Sequence, residues 1–210
     1  SSNNPNYQTD VHVGPDQVEP HLKEKIENDG GTFTGFRTFQ ATCGHTDGHI
    51  IAVAPTGSGK TEAALLWALE QINQGHASKL LYLLPTMVTA NSLHQRLDQF
   101  FSLHNHNVGL THSMADLILS REQDAQESTK LESDLRSELL FNRHFMPPVT
   151  VGTVDQLLTT LFHSGRWPMK TFAAQNAAIV LDEIHSYDPY TTGLIHKAIE
   201  QLGKAGARFM

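Results

Sequence analysis

The chain reads as an open α/β sheet, and two observations carry that reading. Five short apolar runs, "HIIAVA", "KLLYLL", "VGLTH", "VTVG" and "AIVLD", lack polar alternation, as strands buried on both faces of a parallel sheet do. Apolar residues between them recur at helical spacing: Leu93, Leu97, Phe100 and Phe101 in one segment, Val154, Leu157, Leu158, Leu161 and Phe162 in another. Strand and helix therefore alternate, which predicts a mostly parallel sheet with helices on both faces. Ligands of such sheets bind at the carboxyl ends of the strands.

Size and composition bound the rest. At 210 residues with 39% hydrophobic content, the chain suits one domain with a real core. Residues 1–31 are rich in Asn, Pro and Gly and read as a linker or N-terminal extension, with a short helix at "EPHLKEKIEN" stopped by Gly30 and Gly31. The chain begins without methionine, so a piece of a longer protein is expected. The charged stretch "ADLILSREQDAQESTKLESDLRSELLFNRHF" carries one apolar stripe, Leu131, Leu135 and Leu139, and reads as a helical insertion or a long surface helix. A single cysteine, Cys43, excludes an internal disulfide framework and fits a reducing compartment. No apolar run approaches a membrane span and no basic-then-apolar leader is present, so the expectation is a cytoplasmic protein without membrane contact. The formal net charge of −7 gives no overall basic footprint, and nucleic-acid binding would have to be local.

The first functional stretch is "APTGSGKT", Ala54 to Thr61, lying between a strand and the helix "EAALLWALEQI". Gly57 and Gly59 can adopt backbone angles closed to other residues, which lets successive N–H groups of Thr56, Gly57, Ser58 and Gly59 turn toward a phosphate. The helix that follows adds its positive end. Lys60 would meet the β and γ phosphates of a nucleoside triphosphate, and the Thr61 hydroxyl would bind Mg²⁺. Ala54 stands where the strict pattern begins with glycine.

The second stretch is "AIVLDEIHSYDPY". Asp182 ends a buried strand beside the phosphate loop and is placed to be the second anchor for Mg²⁺. Glu183 would orient or deprotonate the attacking water. Capping of the next helix does not account for the pair, because Asp188 sits immediately before Pro189 and serves as that cap.

Together, "APTGSGKT" and "DEIH" resemble motifs I and II of superfamily 2 helicases, in the first of their two RecA-like domains. Gln40, twenty positions before Lys60, is similar to the glutamine that reads adenine there. "LPTMVTAN" resembles motif Ia, and "VGTVDQLL" resembles the strand-to-helix motif that touches the nucleic-acid backbone. "DEIHSYD" with "VGTVDQLL" narrows the likeness to the CRISPR-associated helicase-nucleases of type I systems. The resemblance implies a RecA-like P-loop NTPase fold over residues 32–210, with ATP and Mg²⁺ as cofactors. It also implies 3′ to 5′ translocation on single-stranded DNA and a role for His185 in coupling the ATP site to the second domain. Implied partners are that second RecA-like domain, an upstream nuclease domain and the guide-RNA surveillance complex. The implied nucleic-acid contacts are Pro85, Thr86, Thr89, Asn91, Gly152 and Thr153. Physically, Thr86, Thr89 and Asn91 open one helix, and Thr153 with Gln156 has the spacing of a capping box that opens another.

The edges of the chain set further expectations. No histidine is followed by aspartate, so the His-Asp signature of the family's nuclease domain is absent from this sequence. "LGKAGARFM" leads toward a strand where the family continues into its Ser-Ala-Thr motif III. Without the second domain's arginines the isolated chain is expected to bind nucleotide weakly and to turn it over very slowly. Thirteen histidines include two local groups, Cys43, His45, His49 and His104, His106, His112, neither with zinc-site spacing, and they read as loop or surface residues. Two other readings stand beside the first: a different DExH helicase acting on RNA or DNA, and a nucleotide-binding or partner-binding module with no motor role.

Overall fold

The computed structural model describes residues 10–112, 130–162 and 167–210, with the backbone alone over 130–136. Five strands form one sheet: β1 (Lys79–Leu84), β2 (Val108–Thr111), β3 (Val149–Thr153), β4 (Ala177–Leu181) and β5 (Arg208–Phe209). Their order is β2-β3-β1-β4-β5, and every pairing is parallel. The open parallel sheet expected from the apolar runs is therefore present.

Helices cover both faces. In chain order among the described residues they are α1 (Val18–Asn28), α2 (Thr38–Gly44), α3 (Lys60–Asn73), α4 (Met87–Ser102), α5 (Lys130–Arg143), α6 (Val154–Leu158), α7 (Trp167–Gln175) and α8 (Pro189–Lys204). None of them is long and apolar enough to cross a membrane.

Strand side chains alternate between faces, and β1 shows what that does here. Leu80, Tyr82 and Leu84 join the core that packs against α3 and α4, with Trp67, Leu97 and Phe101. Leu81 and Leu83 join a second core with Leu157, Ala174, Ile195 and Leu202 of α6, α7 and α8. Both faces being covered explains why "KLLYLL" has no polar alternation. The helical stripe Leu93, Leu97, Phe100 and Phe101 is buried as its spacing predicts.

Three expectations change. "HIIAVA" forms no strand: Ile50 N–H donates to Phe209 O at 2.9 Å, but β5 offers only a two-residue ladder, and Ile51 and Val53 are 94% and 90% exposed. Ile50 and Ala52 still pack on the α3-side core. The stripe from Val154 to Phe162 belongs to a helix that ends at Leu158; turns follow, and Phe162 is exposed. A helix does run from 130 to 143 in the charged stretch, while the side chains of Leu131 and Leu135 lie outside the described residues. Residues 10–31 pack onto the domain: Val11, Val13 and Val18 are buried, and Val11 N–H donates to Ser78 O at 2.9 Å.

Candidate nucleotide site

The register places the functional loops along one edge. Leu84 lies opposite Thr153, and Leu83 lies opposite both Gly152 and Leu181. The segments that follow β1, β3 and β4 therefore emerge side by side at the carboxyl end of the sheet. Because β3 and β4 flank β1 on opposite sides, the chain reverses its winding direction there, which is where open α/β sheets form ligand crevices.

The glycine-rich loop lies at this edge. Gly57 and Gly59 have φ of 77° and 83°, in the left-handed region. A Cβ on Gly59 would run into the Gln40 amide, so glycine is required there for space as well as conformation. Gln40, buried on α2, donates from Nε2 to Gly59 O at 3.3 Å and accepts at Oε1 from the Arg37 N–H at 2.9 Å. Arg37 in turn donates to Gly57 O at 2.9 Å. The loop is thus braced by the glutamine singled out above and by an arginine that no motif marks. Thr56 is exposed, and Ser58 Oγ is buried without a hydrogen-bond partner.

The acidic pair separates at the end of β4. Glu183 sits at φ 55° and ψ 38°, a left-handed conformation that costs a non-glycine residue about 1–3 kcal/mol and collects at functional sites. Its carboxylate reaches Lys60, with Nζ 3.0 Å from Oε1, and the exposed His185 stands 3.3 Å from Oε2. Asp182 turns the other way. One oxygen, Oδ1, accepts from the Glu183 N–H at 2.9 Å, and Oδ2 accepts from the Tyr82 hydroxyl at 2.9 Å. Tyr82 is buried; desolvation first, and then the neighbouring Asp182 carboxylate, hold its phenol well above the usual range, so it stays a donor. Thr61 acts the other way on the same phenol, lowering its pKa.

The donor chemistry fits the expected cofactor pair. Loop amides, the N-terminus of α3 and the Lys60 ammonium suit a triphosphate. The Thr61 hydroxyl and the Asp182 carboxylate are hard oxygen donors, which suit Mg²⁺. Among the described residues no three His, Cys, Asp or Glu side chains gather to hold a metal ion. A magnesium site completed by phosphate oxygens needs only one or two carboxylates.

The remaining candidates divide into exposed and buried sets. Thr86, Thr89 and Asn91 are exposed on the first turns of α4, with Pro85 half-buried before them. Thr86 Oγ1 accepts from Thr89 N–H at 3.2 Å, the cap its position predicts. Gly152 and Thr153 are buried. A Cβ on Gly152 would lie 2.7 Å from Thr111 O on the adjacent strand, so packing alone demands glycine there. The capping box at Thr153 does not form: Thr153 Oγ1 has no partner, and Gln156 Oε1 accepts instead from Lys170 Nζ at 2.9 Å. A buried lysine from α7 outcompetes the local bond. Asp188 caps α8 as expected, accepting from Tyr190 and Thr191 N–H at 2.9 and 3.1 Å.

Of the two histidine groups, His45 and His49 serve backbone contacts: His45 Nδ1 lies 2.6 Å from Ala41 O, and His49 Nδ1 accepts from Phe209 N–H at 3.1 Å. His106 is buried rather than at the surface, because its Nε2 accepts from the His12 N–H at 3.1 Å and ties the N-terminal segment down.

Fold and site together define a RecA-like nucleotide-binding domain. The chain belongs to the DEAD/DEAH box helicase family, whose model matches residues 37–207. It is similar to Cas3 proteins. It is 30% identical over 205 residues to the CRISPR-associated nuclease/helicase Cas3 of Methanothermobacter thermautotrophicus, covering 96% of this chain and 23% of that protein. With the CRISPR-associated endonuclease/helicase Cas3 of Thermus thermophilus it shares 31% identity over 172 residues, covering 75% of this chain and 19% of that protein. Among solved structures, T. fusca Cas3 with AMPPNP superposes at a TM-score of 0.69 with 25% identity, over 96% of this chain and 22% of that one. The chain spans about a fifth of the length of the curated relatives it matches. It is a helicase motor domain related to Cas3.

Proposed function

We propose that residues 32–210 form the first RecA-like domain of a single-stranded-DNA translocase acting in type I CRISPR interference, with 1–31 as the extension that leads into it. The observation that carries the ATP-site reading is the convergence of Lys60, Glu183, Asp182 and Thr61 at one edge of the sheet, from segments more than a hundred residues apart. In this reading Gln40 recognises adenine. The amides of Thr56, Gly57, Ser58 and Gly59 cradle the phosphates, and Lys60 exchanges Glu183 for the β and γ phosphates. Thr61 and Asp182 would hold Mg²⁺, which when bound neutralises charge on the phosphate oxygens. Glu183, released from Lys60, orients the attacking water in line with the γ phosphate, and His185 relays the state of the site to a second domain.

Nucleic acid would pass along the carboxyl edge, contacted by Pro85, Thr86, Thr89 and Asn91. Gly152 and Thr153 act there through backbone. Exposed hydroxyls and helix N-termini suit sequence-independent phosphate contact, which reconciles DNA binding with a net charge of −7. The partners are single-stranded DNA, a second RecA-like domain, a nuclease domain and a guide-RNA surveillance complex. The cell compartment is the cytoplasm. Isolated, the domain turns ATP over very slowly, because the arginines that complete the site come from the second domain, and it contains no nuclease site.

The test is steady-state ATP hydrolysis by the chain alone, with single-stranded DNA, and after addition of a second RecA-like domain. Activity only in the mixture, stimulated by DNA and abolished by Lys60→Ala, supports the motor reading. Equal stimulation by RNA would favour another DExH helicase. Nucleotide binding with no turnover in any mixture, unaffected by Glu183→Gln, would leave a non-motor binding module.

A further inference from the structure

Tyr82 stands at the centre of the sheet, on the strand between the two that carry the acidic pair and the nucleic-acid motif. It faces α3 with Leu80 and Leu84 and is 1% exposed. A tyrosine buried so completely needs a partner for its hydroxyl. Here the partner is Asp182, with 2.9 Å between the hydroxyl and Oδ2. Asp182 is one of the two side chains assigned above as magnesium ligands. Backbone contacts hold the rest of Asp182: Oδ1 accepts from the Glu183 N–H, and the Asp182 N–H donates to Leu83 O at 3.0 Å. Leu83 is the residue after Tyr82, so β1 grips Asp182 both by its main chain and by a side chain.

We propose that Tyr82 is a positioning residue for the metal and nucleotide site, its hydroxyl fixing the orientation of the Asp182 carboxylate so that it meets the Mg²⁺ that Thr61 also ligates. The inference rests on the nucleotide reading of the site. Its physical basis is that partners behind a metal's ligands set their orientation and strengthen binding. With the phenol occupying Oδ2 from the protein side, the carboxylate cannot rotate freely, and only its remaining lone pairs are presented to a cation. No loop or ligand supplies this hydroxyl. It comes from the central, fully buried strand of the sheet, and a positioning group is held best on such an element.

The test compares the 210-residue chain with its Tyr82→Phe variant by titrating Mg²⁺ into the chain with a fluorescent ATP analogue, and by Mn²⁺ electron paramagnetic resonance. Asp182→Asn serves as the reference. The expected result is a rise of about tenfold in the Mg²⁺ concentration needed for half-maximal nucleotide binding, the range seen when such partners are removed. Nucleotide affinity in EDTA and the thermal unfolding midpoint, read in parallel, report whether the ring alone keeps the fold. A merely structural hydroxyl would shift the unfolding midpoint and leave the Mg²⁺ midpoint and the Mn²⁺ signal where they were, which would overturn the proposal. If Tyr82→Phe proves poorly folded, Tyr82→His, which restores a donor, decides: recovered fold without recovered Mg²⁺ dependence overturns it. Should the unaltered chain and Asp182→Asn bind nucleotide identically with and without Mg²⁺, the metal assignment of Asp182 fails and the proposal falls with it, whereas no nucleotide binding by the unaltered chain would overturn the nucleotide reading itself.

Discussion

Lys60 and Glu183 hold one another at 3.0 Å across the gap between the phosphate loop and the end of β4. A triphosphate that engages Lys60 must first separate that pair. Both side chains are partly exposed, at 26% and 38%, so water screens the attraction and the pair contributes only about 0.2–1 kcal/mol.

Glu183→Gln is therefore expected to tighten nucleotide binding by up to about fivefold, because the lysine no longer has a competing carboxylate. Lys60→Ala loses the binding. Titration of both variants with a fluorescent ATP analogue checks the pair, and a weaker Glu183→Gln complex would count against it.

Stability should fall on mild acidification through His106. Its Nε2 accepts from the His12 N–H, a role open only to the neutral ring, and burial first, then His12 and His104, lower its pKa. The unfolded chain takes up a proton near pH 6.5 while the native state resists it, so stability is full above that value and is lost as pH falls toward the lowered native pKa. Urea unfolding midpoints between pH 8 and 5 measure this, and His106→Gln should flatten the slope.

Lys170 anchors α7 to α6. Its ammonium donates to Gln156 O at 3.3 Å and Gln156 Oε1 at 2.9 Å, both buried, and to Thr159 Oγ1 at 3.1 Å, partly buried. Lys170→Met keeps the length of the side chain but strands Gln156 Oε1, while Gln156 O keeps its bond from the Thr159 hydroxyl, at a cost of about 1–3 kcal/mol. Chemical denaturation reads that loss.

Gly152→Ala separates packing from nucleic-acid contact. The added methyl group meets Thr111 on β2 and should destabilise the domain by about 1–3 kcal/mol whether or not nucleic acid is present. Thermal unfolding with and without single-stranded DNA distinguishes this from a contact residue, whose replacement would leave the free protein's midpoint unchanged.

Much of the site is legible locally. A glycine-rich loop is a run of neighbouring residues leading into a helix, a cap is a residue before a proline, and a helical stripe is a spacing of three and four. Gly57, Gly59 and Lys60, the Asp188 cap and the buried face of α4 all follow from such short-range rules. Local rules also mislead where a distant group competes. Thr153 and Gln156 have the spacing of a capping box, yet Lys170 takes the Gln156 amide oxygen. "HIIAVA" has the composition of a buried strand, yet its neighbour β5 is two residues long and Ile51 and Val53 face solvent.

Taken alone, the amino-acid order determined the alternation of strand and helix, the phosphate loop and the carboxylate pair, because each depends on residues a few positions apart. Tertiary structure decided which groups meet: Tyr82 with Asp182, Lys60 with Glu183, Arg37 with Gly57. The first two depend on strand order and register, which parallel pairing sets between residues nearly a hundred positions apart, such as Leu83 and Leu181, and the third on how the start of α2 meets the glycine-rich loop; no spacing along the chain encodes them.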